Sequence, residues 1–274
     1  MIRQGILFLL RYLVARMLGC SVSVRVPYTG NEPTVTWYVT TRDLHGPLLH
    51  TLLTGLARTN YPKLSVIILD NSSDDTLADV LRSNAWGYPL ARLRAQRAQS
   101  DWYRWIAQNT TTDYWIASHD DLHFTGSDWV WDLIHPMLMQ ANVGCVCGED
   151  FPVRLNVLEP SGSIVDITHG LSTWLFAVRT DAGKSTGCNF DFVKQPRVTA
   201  CRDEVWDQGG AWLIDLATCG WEVTSLTYKQ QRKWQHFENF DWTRQSGDTR
   251  YQNIKAVQRR LVDLLVYHKI PRVP

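Results

Sequence analysis

The sequence predicts an α/β fold in which helices cover both faces of a mainly parallel sheet. Short apolar, β-rich segments alternate with segments whose apolar residues recur at helical spacing. The chain has 274 residues, 45% of them hydrophobic, which is enough to bury a sizeable core. Acidic clusters directly follow two of the apolar segments. Since open α/β sheets bind ligands at the carboxyl ends of their strands, we expect a ligand site at one sheet edge.

The first half of the chain reads as alternating strands and helices. A β-rich alternation at residues 35–40 is followed by leucines at helical spacing, and Asn60, Tyr61 and Pro62 end that helix. Ser72 or Ser73 can cap the next helix, with acidic residues favourably placed in its first turn. The predicted strands are 35–40, 64–69, 89–93, 114–118 and 143–146, and the predicted helices are 44–58, 72–83, 102–108 and 127–140.

The pattern changes after Gly148. Residues 164–167 and 173–178 are predicted to be two antiparallel strands, and residues 180–200 to be a long loop of the kind that often binds ligands. A helix is expected from Asp203 to Cys219, where Gly220 would end it, followed by a strand at 221–226. Residues 254–266 predict a final amphipathic helix.

Charge and apolar residues distinguish the two ends from the middle of the chain. The net charge is only +1, but residues 1–26 carry four arginines and no acid, and the C-terminal residues are also basic. Residues 6–18 are apolar but interrupted by Arg11 and Arg16, whereas a membrane span needs about 20 apolar residues. We expect an amphipathic helix that either packs on the protein or lies on a membrane surface.

Cysteine and tryptophan usage adds two expectations. The six cysteines are scattered without paired spacing, which favours buried thiols over disulfides. The chain has 13 tryptophans, and core packing is the usual role of such large side chains. Those that can instead stack on a sugar or base are Trp102, Trp105, Trp174, Trp206, Trp212 and Trp234.

Three segments carry a family resemblance. They are VTWYVTTRD at residues 35–43, NYPKLSVIILDNSSDD at 60–75, and DYWIASHDD at 113–121 before a helix that contains Trp129. In order and spacing they resemble the nucleotide-binding half of an inverting family 2 glycosyltransferase of the GT-A fold. The resemblance covers residues 35–148 well and 200–236 loosely. It implies a GT-A-type, mainly parallel nucleotide-binding sheet flanked by helices, with a small antiparallel part and the amphipathic C-terminal helix.

The resemblance assigns the donor nucleotide to residues that follow the first two strands. Asp70 matches the family's aspartate that contacts the base, and a carboxylate can accept the imide N–H of uracil or thymine. Thr40, Thr41 and Arg42 stand where the family has residues that touch the nucleotide, and Ser72 is expected to join them. An Asx turn or a helix cap is the alternative role of Asp70.

The resemblance also implies a metal site for Mn²⁺ or Mg²⁺. His119, Asp120 and Asp121 occupy the place of the family's D-x-D element, with histidine at its first position. Asp121 is expected to ligate the metal, and Asp120 to face the ribose or the sugar of the donor. His236 stands where related enzymes supply a histidine, although it can also be a structural residue. His123 can join the metal or cap the next loop.

An inverting reaction needs a base to take the proton from the acceptor hydroxyl. In the family an acidic residue near the start of the late helix has this role, and Asp203, Glu204 and Asp207 lie there. Acidic residues near the start of a helix also stabilise it by interacting with the helix dipole, and this is the competing explanation for all three acids.

The leading hypothesis is therefore a metal-dependent inverting glycosyltransferase that uses a UDP-, dTDP- or GDP-sugar. A nucleotidyltransferase of GT-A-like architecture and a non-catalytic nucleotide-sugar or glycan-binding module are the alternatives. The expected organisation is an N-terminal arm at 1–30, a catalytic domain at 31–228 and a C-terminal segment at 229–274. The expected acceptor is a glycan, a lipid or a modified nucleic acid. A cytoplasmic location with peripheral membrane contact fits these expectations.

Overall fold

The computed structural model describes residues 30–42, 52, 54–73, 75–82, 88–149, 152–158, 164–169, 171–190, 209–231 and 233–236. The chain divides into an N-terminal unit, Met1–Glu32, and a larger unit, Pro33–Pro274, which contains the sheet. Most of the predicted N-terminal arm and all of the predicted helix at 254–266 lie outside the described residues. No helix in the described ranges is both long and apolar enough to span a membrane.

The strands and helices follow the alternation that the sequence predicts for its first half. The strands are β1 (Val35–Thr41), β2 (Leu64–Asp70), β3 (Leu90–Arg94), β4 (Tyr114–His119), β5 (Leu122–Phe124), β6 (Val143–Cys147), β7 (Pro152–Leu158), β8 (Ile164–His169), β9 (Leu175–Arg179), β10 (Glu222–Ser225) and β11 (Trp234–His236). The helices are α1 (Thr76–Arg82), α2 (Gln99–Asn109), α3 (Trp129–Met139), α4 (Thr180–Thr186), α5 (Gly210–Thr218) and α6 (Tyr228–Gln231), and residues 54–58 are also helical.

A seven-stranded sheet forms the centre, with the order β10-β6-β9-β4-β1-β2-β3. β4, β1, β2 and β3 run parallel, and so do β6 and β10. β9 lies between β4 and β6 and is antiparallel to both. Two small antiparallel pairs, β5 with β11 and β7 with β8, complete the described strands. The predicted mainly parallel sheet with a small antiparallel part is confirmed.

Helices cover both faces of the sheet, so its central strands are buried on both sides. Alternate residues of β1 enter different cores: Trp37 packs in one with the helical residues 54–58 and α3, whereas Tyr38 packs in the other with α2 and α5. Trp37, Trp115, Trp129 and Trp212 are among the largest fully buried side chains. This explains the high tryptophan content mainly as core packing.

Three predictions from the second half of the sequence need correction. Residues 164–167 and 173–178 do fall on antiparallel strands, but these pair with other partners, β8 with β7 and β9 with β4 and β6. Residues 180–186 form α4 instead of starting a long loop. The reason is tertiary: a Cβ on Gly183 would lie 3.2 Å from the Trp115 indole nitrogen, so this glycine permits close packing of α4 on the sheet.

The helix expected from Asp203 instead begins at Gly210. Gly209 has a φ of 97°, a left-handed conformation that an α-helix cannot continue. Residues 201–208, with the predicted acids Asp203, Glu204 and Asp207, lie outside the described part of the chain. No acidic residue stands in the first turn of α5.

The described cysteines agree with the expectation of thiols. Cys145, Cys147 and Cys188 are buried thiols, and Cys219 is an exposed thiol. Burial raises the pKa of Cys145 and of Cys188. Since a thiolate is the reactive form of cysteine, these two side chains serve packing and not nucleophilic chemistry.

Candidate active site

The sheet register brings the polar strand ends together. β1 lies between β2 and β4, with Thr41 opposite Asp70 and Thr40 opposite His119. Because all three strands are parallel, their carboxyl ends share one edge of the sheet. The acidic clusters that the sequence places after two separate strands are therefore neighbours in space, as expected for a ligand site in an open α/β sheet.

Asp70, the predicted base contact, is completely buried and already engaged. Its Oδ2 accepts from Nε and Nη2 of Arg92, both at 2.7 Å, and its Oδ1 accepts from the backbone N–H of Ser72 at 2.8 Å. The bond from Ser72 is the Asx-type turn that the sequence left open as the alternative role. Arg92 was not anticipated, because nothing along the chain shows that a residue of β3 reaches the end of β2.

A second carboxylate extends this network to the surface. Asp75 lies 2.9 Å from Nη1 of Arg92 and 3.0 Å from Nη1 of Arg94. The hydrogen bond from Arg92 and the charge of Arg94 lower the pKa of Asp75. Burial by itself would lower the pKa of Arg92, but the bonds to Asp75 and Asp70 outweigh it and raise that pKa. The loop after β2 is thus held by two arginines of β3.

The other predicted donor residues lie around the end of β1. The hydroxyl of Thr41 donates to Oδ2 of Asp120 at 2.7 Å, and Asp120 is buried. Thr40 donates to the carbonyl of Ser118 at 3.3 Å, and Arg42 is exposed just beyond the strand. Thr41 therefore orients Asp120 at the mouth of the site.

Among the described residues, three side chains of types that commonly ligate metals approach one another, those of His119, Asp121 and His236. One ligand atom from each lies within 4.8 Å of the other two, and Nε2 of His236 is 3.5 Å from Oδ2 of Asp121. His236 reaches this place because β11 pairs with β5 and sets it opposite Leu122, the residue after Asp121. Two of the three metal ligands predicted from the sequence, Asp121 and His236, are thus brought together.

The residues of this cluster fit a divalent cation. Asp121 is buried, and its Oδ1 has no hydrogen-bond partner among the residues that the structure describes. A buried carboxylate oxygen without a partner is costly, and a bound cation satisfies it. Imidazole and carboxylate together are common ligands of divalent transition metals.

His119 belongs to the cluster and His123 does not. The sequence treated His119 as a departure at the first D-x-D position and offered His123 as a third ligand. His123 is buried on β5, where it lies opposite Gln235. The sequence did contain a chemical signal for His119. Its imidazole stands at a strand end, next to Asp120 and two residues from Asp121, and imidazole with carboxylate is a common combination of metal ligands.

Two further residues hold the histidines. The indole of Trp174 stacks on the His236 ring, with centroids 4.4 Å apart and planes inclined by 16°. The side-chain amide of Gln99 contacts Nε2 of His119 and lies 2.7 Å from the Tyr103 hydroxyl. Trp174 was among the tryptophans named as able to stack on a sugar or base, and in this structure it stacks on a histidine.

The fold is of the GT-A type. Helices flank a mostly parallel sheet, one antiparallel strand is inserted into it, and polar strand ends gather at one edge. No protein-family model matches the sequence, and no curated protein matches it significantly. The similarities to known proteins are therefore similarities of structure and not of sequence.

Two solved structures illustrate the likeness. The mannosyltransferase PcManGT from Pyrobaculum calidifontis, in complex with GDP-Man and Mn²⁺, is similar over 93% of this chain and 77% of its own, with 17% identity and a TM-score of 0.51. GalNAc-T7, with UDP, GalNAc and Mn²⁺, is similar over 73% of this chain and 43% of its own, with 12% identity and a TM-score of 0.51. These likenesses establish the GT-A-type fold.

Proposed function

We propose that this protein is an inverting glycosyltransferase that moves a sugar from a nucleoside diphosphate sugar to an acceptor hydroxyl, with a divalent cation as cofactor. The observation that carries this proposal is the cluster of His119, Asp121 and His236 at the strand ends, beside the buried carboxylates of Asp70 and Asp120. PcManGT and GalNAc-T7, which have the same fold type, are complexes with Mn²⁺ and with GDP-Man or UDP.

Asp121 and His236 are the residues that we propose to hold the cation, either Mn²⁺ or Mg²⁺. Two observations support this assignment: Oδ1 of Asp121 lacks a partner within the described ranges, and Oδ2 lies 3.5 Å from His236. A cation bound there would offset the negative charge that develops on the leaving diphosphate. Asp120, oriented by Thr41, is proposed to accept hydrogen bonds from the ribose or the sugar.

The base of the donor is proposed to lie near Asp70, Ser72 and the end of β1, where Thr40 and Arg42 add polar groups. Oδ2 of Asp70 accepts two bonds from Arg92, whereas Oδ1 accepts one from Ser72 and has a second lone pair for an N–H of the base. Arg92 would then lie beside the base and bear on base selection, because its guanidinium is bound to Asp70.

The chemical step that we propose is a direct displacement. The acceptor oxygen forms a bond to the anomeric carbon, while the bond from that carbon to the diphosphate oxygen breaks and its electron pair leaves with the nucleoside diphosphate. A carboxylate takes the proton of the acceptor hydroxyl. Asp203, Glu204 and Asp207 remain the proposed candidates for this carboxylate.

A thermal-shift screen of UDP-, dTDP- and GDP-sugars with and without Mn²⁺ tests the proposal. Selective binding to the folded state raises the melting temperature, so one nucleotide class should raise it in a Mn²⁺-dependent manner. Asp121→Ala should lose the Mn²⁺-dependent part, whereas Asp101→Ala, which removes a half-exposed carboxylate of α2, should keep it. Absence of any Mn²⁺-dependent shift with all three classes would contradict the proposal.

Product analysis then separates a transferase from a binding module. The protein is incubated with the stabilising donor and with glycan, lipid or modified nucleic acid acceptors, and the anomeric configuration of the product is read by NMR. Inversion is expected, and the single variants Asp203→Asn, Glu204→Gln and Asp207→Asn should identify the base by a loss of at least about 100-fold in one of them. Donor binding without transfer or hydrolysis would favour the binding module.

A further inference from the structure

We infer that the acceptor is a neutral glycan, and that Glu149 binds it by accepting hydrogen bonds from its hydroxyl groups. This inference rests on the proposed function and deepens it, because it names the acceptor class that the sequence leaves open among a glycan, a lipid and a modified nucleic acid. The family resemblance assigns no role to Glu149, so the argument starts from its place in the fold.

The order of the strands sets the side from which an acceptor approaches. In the order β10-β6-β9-β4-β1-β2-β3, the proposed donor residues lie at the ends of β1 and β2, and the cluster of His119, Asp121 and His236 lies at the end of β4. In a direct displacement the acceptor oxygen attacks from the side opposite to the departing diphosphate. With the nucleoside over β1 and β2 and the diphosphate beside the cluster, the acceptor approaches over β9, β6 and β10.

Glu149 stands on this acceptor side, just beyond the end of β6. Cys147 on β6 and Ala117 on β4 are both opposite Phe176 on β9, so β6 runs two strand spacings, about 10 Å, from β4. Both strands are antiparallel to β9 and therefore end at the same edge of the sheet. Glu149, two residues beyond Cys147, thus follows its strand by the same number of residues as His119 follows Ala117.

The backbone before Glu149 is held from two sides. The N–H of Gly148 donates to the carbonyl of Leu175 at 2.8 Å, and the N–H of Leu226 donates to the carbonyl of Cys147 at 3.1 Å. A Cβ on Gly148 would lie only 2.8 Å from Cδ2 of the buried Leu175 side chain, so this close approach needs a glycine. The exposed side chain of Glu149 therefore extends from a fixed backbone.

Two polar side chains at this edge lack protein partners within the described ranges. The carboxylate of Glu149 forms no ion pair or hydrogen bond with the described residues. Ser172, which precedes β9, is only 7% exposed, and its hydroxyl oxygen has no partner among them either. A buried hydroxyl without a hydrogen bond is destabilising, and a hydroxyl of a bound ligand would satisfy it. Both side chains fit a ligand that is rich in hydroxyl groups.

The charge of Glu149 distinguishes between the acceptor classes. A carboxylate has two acceptor oxygens, so it can bind two neighbouring hydroxyls of a sugar at once. A phosphate group has the same sign of charge and would be repelled, which disfavours nucleic acids and phosphate-bearing lipids. The exposed arginines Arg94 and Arg97 lie at the end of β3, on the donor side, where they suit the anionic nucleotide.

Transfer assays with matched acceptors test the inference on the full-length protein. The donor is the nucleotide sugar that raises the melting temperature. The acceptors are the methyl glycosides of glucose, galactose and mannose, each compared with its phosphate monoester. At least one neutral glycoside should accept the sugar, with a kcat/KM at least about 10-fold above that of its phosphate monoester. Glu149→Gln should raise the KM of that glycoside at least about 10-fold, whereas the calorimetric Kd of the donor should stay within about 2-fold.

Three further variants separate charge from structure. Ser172→Ala should raise the same KM about 3-fold, because it removes one hydrogen-bonding group. Glu149→Lys should reverse the preference in favour of the phosphate monoester. Glu222→Gln is the matched control: Glu222 is also exposed, but it begins β10, which is parallel to β6, and so lies at the opposite edge of the sheet. This control should change neither the KM nor the preference.

Equal KM values in Glu149→Gln and Glu222→Gln would overturn the inference, as would a loss confined to kcat or a preference of the unmodified protein for phosphate monoesters. Circular dichroism establishes that each variant is folded. Failure of the inference is distinguishable from failure of the proposed function. Donor binding and donor hydrolysis without transfer to any neutral glycoside remove the inference alone, whereas a protein that neither binds nor hydrolyses a nucleotide sugar removes the proposed function.

Discussion

The ammonium group of Lys233 lies 2.9 Å from Oδ2 of Asp128, and this ion pair fastens the start of β11 to the N-terminal end of α3. Asp132, one turn along α3, is a second partner at 2.5 Å. The carbonyl oxygen of Lys233 accepts from the backbone N–H groups of Thr125 and Gly126 at 2.7 and 3.1 Å. Because His236 follows on β11, these contacts determine where its imidazole lies.

Replacing Lys233 with methionine should loosen β11 and leave two partly buried carboxylates without their cation. We expect Lys233→Met to lower the free energy of unfolding by about 1–3 kcal/mol and to weaken Mn²⁺ binding about 10-fold. Urea unfolding and calorimetry measure the two effects. Lys63→Met, at an exposed position, should change stability by less than about 0.5 kcal/mol. A variant of Lys233 with reduced stability but unchanged Mn²⁺ affinity would show that His236 is positioned independently.

Arg92→Met should destabilise the protein because, of the donors among the described residues, it leaves the buried carboxylate of Asp70 with the Ser72 N–H alone. A loss of about 2–4 kcal/mol in the free energy of unfolding is expected, measured in urea. The double variant Asp70→Asn with Arg92→Met should be less destabilised, since it removes the uncompensated charge as well. Asp75→Asn, which removes the exposed partner, should cost much less, because solvent screens that ion pair. Equal losses in Arg92→Met and Asp75→Asn would contradict this account.

Trp174→Ala should weaken metal binding without touching a ligand. The indole stacks on His236 at 4.4 Å, so its removal frees the imidazole to rotate. We expect Mn²⁺ affinity to fall about 10-fold, with Trp174→Phe restoring most of it because a phenyl ring can stack in the same place. Calorimetric titration with Mn²⁺ measures both variants. Identical affinities in the alanine variant and the unmodified protein would exclude a positioning role.

Stability should decline above about pH 10, partly through Tyr88. Burial raises the pKa of Tyr88, whose hydroxyl donates to the carbonyl of Leu56 at 2.5 Å. The folded chain thus keeps a proton that the unfolded chain loses at its ordinary tyrosine pKa, and the free energy of unfolding falls as pH rises through that range. Tyr88→Phe should show a shallower decline between about pH 9 and 11 in thermal melts, and should lose about 1 kcal/mol at neutral pH. An unchanged slope would refute the contribution of Tyr88.

The sequence by itself determined the elements of the first half and which of them end in polar groups. The short β-rich, largely apolar runs of β1 and β2 predict strands, and parallel strands necessarily share the edge where their carboxyl ends lie. Asp70, Asp120 and Asp121 were proposed as site residues from these local signals together with the family resemblance. The tendency of residues to form a strand or helix is local, so the sequence reveals it.

Only the tertiary structure decided how distant segments complete the site. The pairing of β11 with β5 brings His236 beside Asp121, the antiparallel insertion of β9 sets Trp174 beside His119, and β3 delivers Arg92 to Asp70. Each of these contacts depends on strand order and register, and a shift of one residue would turn the side chain to the other face. Partner choice among strands is set by packing of the whole core, which no single segment of the sequence contains.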